Sequence, residues 1–341
     1  MTSRSTGLRI GTRESRLARW QAEHVAAAIR ALPGAPEPEL VLIRTEGDRI
    51  QDVPLHKVQG KAFFTKEIEE ALLAGEVDVA VHSLKDLATE MPPGLALGAV
   101  MEREDPRDAL LLREGLEGLP PGARVGTSSL RRRAFLARWR PDLDLAELRG
   151  NVPTRIRKLD EGLYHGIVLA VAGVKRLGLG DRISDHLPFD VMLPAVSQGA
   201  IGLQIREDDQ ETVGWVANLN HPVTRWATAA ERALLRRLEG GCQVPVGALG
   251  EMVEGEGGTH LRLRASLCSL DGTRMVEGER WGEPAGKGSP GSPFPSRPGP
   301  GFRDGWDPSP EEELGVALAE DLLARGGHEI LAEIRETAGG R

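Results

Sequence analysis

A strand–helix alternation that runs through the chain twice is the feature that most limits how it can fold. LRIGT, from Leu8, is followed by a helical pattern from Ser15 to about Leu32. ELVLIRT, a helical FFTKEIEEALLAG and the apolar run VDVAVHS come next. The second pass reads RVGTSS, a helix through LRRRAFLARW, DLAELRG, a helix through TRIRKLDEG, and GIVLAVAG. Short apolar strands separated by helices of this length make βαβ units, and such units predict mostly parallel sheets. The expected class is therefore α/β, with two doubly wound domains and a crevice between them. Residues 1–104 with 199–220 are expected to form the first domain and 105–198 the second.

A third, smaller α+β domain is expected over 221–341. It starts at a helix cap, His221-Pro222, and runs through TRWATAAERALLRRLEGG. The alternating strands THLRLRASLCSLDG and TRMVEGERW follow, then a C-terminal helical region. Within it, the stretch from Glu283 to Pro310 is rich in Pro, Gly and Ser. It has too little apolar surface to offset the entropy of ordering, and reads as a loosely packed surface insertion. Phe294, Phe302 and Trp306 could contact a partner, although a passive loop is the simpler reading.

Polar signatures recur where strands end. GTRESRLA follows the first strand, HSLKD follows VDVAV, GTSSLRR follows RV, and RGNVPTR follows DLAEL. In open α/β sheets, that edge is the ligand-binding crevice. Ser15, and Ser128 or Ser129, stand where helix N-caps belong, and helix N-termini favour anions. Arg131, Arg132, Arg133, Arg138, Arg140, Arg149, Arg155 and Arg157 cluster in a chain of net charge −8. Such a cluster is commonly a solvated helix face. Here the arginines fall at strand ends, so several are expected to converge on a compact, multi-carboxylate ligand. The acidic overall charge argues against a nucleic-acid partner.

Neither a metal centre nor a disulfide framework is expected. The eight histidines show no paired metal spacing, and the two cysteines, Cys242 and Cys268, lie 26 positions apart, a usage suited to a reducing cytoplasm. The start MTSRSTGLRIGTRESRLARW has no apolar core, and no run is long enough to span a bilayer, so neither export nor membrane insertion is expected. Asp86, after an apolar strand and beside Lys85, suits the stabilisation of a developing cation or the movement of a proton. On local sequence alone a structural salt bridge is the default explanation. A Ser-His-Asp triad lacks its nucleophile elbow, and neighbouring His82 and Ser83 would face opposite sides of a strand. RLGLGDR lacks the third glycine of a dinucleotide site. Cys242, in LEGGCQVPVG, is either a small packing residue or something reactive on an exposed turn. On the residues alone, three classes stay open: an enzyme, a non-catalytic binder of an acidic small molecule, and a thiol hydrolase using Cys242.

Nine segments, in order, resemble the porphobilinogen deaminase (hydroxymethylbilane synthase) family: GTRESRLA, GKAFFTKEIE, VHSLKDL, EREDPRDAL, GTSSLRRR, LRGNVPTR, IVLAVAGVKRLGL, LPAVSQGAIG and LEGGCQVPVG. The resemblance implies two α/β domains like those of type II periplasmic binding proteins, with an interdomain cleft and a small α+β C-terminal domain. It also implies a cytoplasmic, monomeric transferase of tetrapyrrole and haem biosynthesis. Four porphobilinogen molecules would be condensed head to tail with loss of ammonia, and hydroxymethylbilane released by water. Its primer would be a dipyrromethane cofactor joined to Cys242 by a thioether.

By motif position, the resemblance makes Asp86 the catalytic carboxylate. Ser83, Lys85, Thr127, Ser129, Arg131 and Arg132 would hold the cofactor. Arg13, Ser15, Gln21, Arg149, Arg155 and Gln198 would bind the incoming pyrrole. Lys57, Lys61 and Phe64 would lie on a loop that closes over the cleft. Cys268 would be a packing residue. Gln59, Ala62, Ala88, Pro153 and Ser197 depart from the family pattern: Gln59, Ala62 and Ser197 replace glycines, as does Pro153, which would sit at a helix start.

Overall fold

The two alternations fold into two five-stranded sheets, and the strands after residue 245 form a three-stranded one. This is seen in a computed structural model that describes residues 7–45, 65–238, 244–256, 258–284 and 309–339. The first sheet contains β1 (Gly7–Arg13), β2 (Glu37–Ile43), β3 (Val79–Ser83), β4 (Leu95–Val100) and β10 (Ile201–Arg206), in the order β2-β1-β3-β10-β4. Both faces are covered. Helix α1 (Arg16–Arg30) buries Ala18, Ala22, Val25, Ala26 and Ile29, one stripe at helical spacing. That stripe packs on Val79 and Val81, whereas Ala80, pointing the other way, meets Ile68 and Leu72 of α2 (Lys66–Leu73). The larger of these side chains, Val25, Ile29, Val79, Ile68 and Leu72, are fully buried and contribute about 1.5–3 kcal/mol each.

The second sheet repeats this plan with β5 (Asp108–Leu112), β6 (Arg124–Gly126), β7 (Asp144–Ala146), β8 (Gly166–Ala170) and β9 (Asp185–His186), ordered β7-β6-β8-β5-β9. Helix α3 (Leu130–Trp139) packs on Leu110, Leu112 and Val168. The opposite face, with Leu111, Ile167 and Leu169, is covered by α4 (Val152–Asp160) and α5 (Val171–Arg176). Helix α6 (Gln210–Ala217) completes the first unit. The third unit has β11 (Val246–Gly255), β12 (Gly258–Cys268) and β13 (Met275–Pro284), packed on α7 (Pro222–Arg237), α8 (Pro310–Leu322) and α9 (His328–Gly339).

One expectation is corrected. Neither large sheet is mostly parallel: each has two parallel and two antiparallel strand pairs. The antiparallel strands are β10, against β3 and β4, and β5, against β8 and β9. These are the strands at which the chain passes from one sheet to the other. Strand direction there is set by where the crossing lands, which an alternation of apolar runs does not encode. The crossing segments bond to each other, Met101 N–H to Ile201 O (3.0 Å) and Glu104 N–H to Gly199 O (3.2 Å), so the cleft edges meet at a paired double strand.

Candidate active site

Local capping fixes the strand ends that form the cleft. Ser15 Oγ accepts from Ala18 N–H (3.2 Å) and Ser129 Oγ from Arg132 N–H (3.4 Å), each as the N-cap of its helix. Asn151 caps α4, and Pro153 lies in that helix's first turn, where its missing N–H costs no helical bond. After β3, Leu84–Asp86 make one 3₁₀ turn. The cleft between the sheets measures about 520 Å³ including its open mouth. Ser83, Lys85, Arg132, Arg155 and Gln198, all singled out from the sequence, line it, together with Leu17, Leu169, Gly173 and Arg176.

Beneath its floor lies an ionic cluster. Asp108 is fully buried and accepts from Arg131 Nη2 (2.7 Å), Arg132 Nη2 (2.7 Å) and Gln198 Nε2 (3.0 Å). Burial alone would raise its pKa, but Arg131 and Arg132 outweigh that and hold the carboxyl well below the usual range. Arg131 is spent on this cluster and on Leu193 O (2.7 Å), whereas Arg132 both pairs with Asp108 and lines the cleft. Gln198 is engaged as well, donating to Pro106 O (2.8 Å) and accepting from Lys85 Nζ (3.3 Å).

Above the floor the charges have fewer partners. Burial pushes the Lys85 ammonium down to about 8, opposed by Asp86 and reinforced by Arg132. Arg155 is pushed down to about 10 by burial and by the nearby Arg132 and Arg149, with Glu147 and Asp86 opposing. Arg176, to which no role was given from the sequence, is likewise pushed to about 10 by burial. Its guanidinium lies 5.6 Å from the Trp20 ring and donates to Gly199 O (2.6 Å). Among the described residues, Lys85, Arg149, Arg155 and Arg176 make no ion pair with any carboxylate. Asp86 is exposed, and its charge acts on Lys85 and Arg155, which stand on opposite walls.

The other expected residues are placed as follows. Gln21 is buried and bonds Ser83 Oγ (2.9 Å), and buried Thr127 accepts from Ser129 N–H (3.3 Å). Arg13 ends β1, half-buried, where its charge acts on His82; Arg149 is half-buried next to Arg155. His82 is buried, bonded to Gln204 (3.1 Å) and pushed by burial down to about 4, while Ser83 turns to Gln21, so the two form no catalytic pair. Cys268 is buried in the core under α3, and burial pushes its thiol up to about 11, the setting of a packing residue. Cys242, Lys57, Lys61 and Phe64 lie outside the described residues, as do Gln59, Ala62 and most of the Pro/Gly-rich stretch.

Residues 8–214 match the family described as porphobilinogen deaminase, dipyromethane cofactor binding domain, and residues 226–288 match the porphobilinogen deaminase C-terminal domain. The porphobilinogen deaminase of Geobacter sulfurreducens is 49% identical over 96% of this chain and 94% of its own length. The chain belongs to the porphobilinogen deaminase family. The porphobilinogen deaminases of Geotalea uraniireducens, at 47% identity (96% of this chain, 94% of that one), and Syntrophomonas wolfei, at 46% (96% and 99%), span it equally well. A periplasmic sulfonate-binding protein of Methylobacillus flagellatus is far more distant, at 14% identity and a TM-score of 0.39 over 62% of this chain and 66% of that one.

Ser197, expected from the resemblance to replace a glycine, has a backbone conformation that suits glycine. Ser197 has φ 63°, the only positive φ at a non-glycine among the described residues. Its N–H donates to buried Glu231 (2.6 Å), which holds the conformation in place, while its hydroxyl is buried without a hydrogen-bond partner. Left-handed backbone costs a side chain roughly 1–2 kcal/mol, and an unsatisfied hydroxyl adds to that. Ser197→Gly is therefore expected to stabilise the fold by about 1 kcal/mol after the greater chain entropy of glycine is subtracted. Thermal melts of the two proteins check this, and an unchanged or lower midpoint would contradict it.

Proposed function

We infer that this porphobilinogen deaminase is a hydroxymethylbilane synthase, a transferase that joins four porphobilinogen molecules head to tail, releases ammonia at each addition and ends with hydroxymethylbilane. The observation that carries the reading is a carboxylate, Asp86, whose charge acts on Lys85 and Arg155 beside a cleft in which Lys85, Arg155 and Arg176, unlike Arg132, make no ion pair with a carboxylate among the described residues. A pyrrole bearing acetate and propionate supplies what Lys85, Arg149, Arg155 and Arg176 lack. The same surplus of positive charge fits a dipyrromethane, which also carries two carboxylates per ring. When bound, the dipyrromethane supplies the nucleophilic carbon to which pyrroles are added.

The chain's own residues supply the rest. Lys85, Ser83 and Arg132 would hold the cofactor from the floor, with Thr127 and Ser129 fixing the helix start behind them and Arg131 held through Asp108. Arg155 and Arg149, with Arg13 and Ser15 on the facing wall, would take the substrate's carboxylates as bidentate or point donors. Gln21 orients Ser83, and Gln198 orients Lys85. Asp86 offsets the positive charge that develops on porphobilinogen as ammonia leaves, and a lysine ammonium poised near neutral pH can move a proton to the departing amine. Cys242 would carry the thioether. No helix among the described residues is long and apolar enough to cross a membrane. We place the enzyme in the cytoplasm, as a monomer with no nucleic-acid partner.

Asp86→Asn keeps the side-chain shape and removes the charge. It is expected to fold and to keep its cofactor, while porphobilinogen consumption in a single turnover falls about a hundredfold. Asp86→Glu, displaced by one methylene, should lose part of the rate. Release of ammonia from porphobilinogen is the readout, with folding checked by thermal melts. A near-normal rate in folded Asp86→Asn would refute the electrostatic role, and binding of porphobilinogen without ammonia release by the wild type would point instead to a binding protein.

A further inference from the structure

The turn that carries Asp86 is very short, and its own backbone does little to fix it. Leu84–Asp86 is three residues long, closed by Leu87 N–H to Leu84 O (3.2 Å) and joined to the crossing strand by Leu84 N–H to Ala200 O (3.0 Å). The carbonyls that bracket Asp86 are gathered by one side chain from another unit. Arg232, on α7, donates Nη1 to Leu87 O (3.1 Å) and to Leu84 O (3.5 Å), and Nη2 to Ala88 O (2.5 Å). It is buried, and among the described residues it pairs with no carboxylate. A buried guanidinium satisfied by carbonyls alone is costly, and an aliphatic residue would pack there at less expense.

The base of this clamp is rigid. Glu231, next to Arg232 on the same helix, is fully buried and accepts from Arg103 Nη1 (2.6 Å), Ser197 N–H (2.6 Å) and Gly250 N–H (2.8 Å). It thus ties α7 to both crossing strands and to β11. A planar fork fixed at its base and reaching carbonyls on both sides of a three-residue turn sets the turn's rotation, and with it the direction of the Asp86 carboxylate.

We propose that Arg232 is a positioning residue for Asp86, holding the 3₁₀ turn so that the carboxylate faces the cleft between Lys85 and Arg155. The proposal rests on the role given to Asp86 above. It also makes the third unit part of the catalytic apparatus: α7 ends at Arg237, and Cys242 follows five residues later in the sequence.

The test is a double-mutant cycle on the full chain with Arg232→Met, Asp86→Asn and both together. Arg232→Met should slow porphobilinogen consumption on the order of tenfold to a hundredfold with KM little changed, as for a misplaced catalytic group. In the Asp86→Asn background, the same change should lower the thermal midpoint by as much as it does alone but cost no further rate. Arg232→Lys, which keeps the charge but reaches fewer carbonyls, should recover part of the rate. It also carries the cycle should Arg232→Met fail to fold. Equal, additive rate losses in the two backgrounds, or a lower midpoint with an unchanged rate, would overturn the proposal. A wild-type protein that releases no ammonia from porphobilinogen would instead overturn the functional reading, and the proposal with it.

Discussion

Cys242→Ser is expected to yield a folded protein with no attached pyrrole and no turnover of porphobilinogen. A thioether at Cys242 would require a thiolate, which is a far stronger nucleophile near neutral pH than a serine hydroxyl. The chain has one other thiol, and the structure removes it as a substitute: Cys268 is buried in the core beneath α3, and burial pushes it up to about 11. Cys268→Ser should therefore keep its pyrroles and lose only packing, seen as a lower thermal midpoint. The measurement is pyrrole content together with activity for each variant. Attached pyrrole in Cys242→Ser, or its loss in Cys268→Ser, would contradict the assignment.

Asp108→Asn is expected to cost about 3–5 kcal/mol of stability, because it strands two buried guanidinium groups that share this one carboxylate. Arg131 and Arg132 would keep only backbone carbonyls, Leu193 O and Val168 O. The cleft floor would loosen, so cofactor uptake should fall as well. The contribution also has a pH signature. Asp108 titrates lower in the folded protein than in the unfolded chain, where a carboxylate has a pKa of about 4. Its stabilisation is thus complete above about pH 4 and is lost progressively as the pH falls below that value toward the folded pKa. Thermal midpoints of the wild type should drop steeply below pH 4, and Asp108→Asn should show a shallower fall from a lower start. Parallel pH curves for the two proteins would show that the cluster is not held by this charge.

Asp108 also marks a limit of reading the chain as a string. Its local sequence, RDALLL, signals the start of an apolar strand and nothing more. Its partners stand 23, 24 and 90 positions away, and only the crossing of β5 between sheets brings them to it. Arg232 is hidden in the same way, since its acceptors lie about 145 positions earlier in the chain. Arg176 was closer to view: VAGVKR follows a strand end as GTRESR and HSLKD do, and the same rule would have pointed to it. By contrast, Ser15 and His221 were legible as helix caps, and Ser129 as one of two neighbouring candidates, because capping is a local bargain between a side chain and the next turn. Ser83, Lys85, Arg132 and Arg155 were legible because a ligand crevice forms where strands end, and the sequence shows where that is, whereas Gln198 was named only through the family resemblance. Strand direction was not, because β5 and β10 look the same in either sense.

The most direct test of the whole account is the intact mass of the purified wild-type protein, followed by peptide mapping. A covalent primer on Cys242 predicts a mass above that of the bare chain by two linked pyrrole units, carried by the peptide that contains Cys242. A bare chain mass, or the added mass on the peptide that contains Cys268, would contradict it.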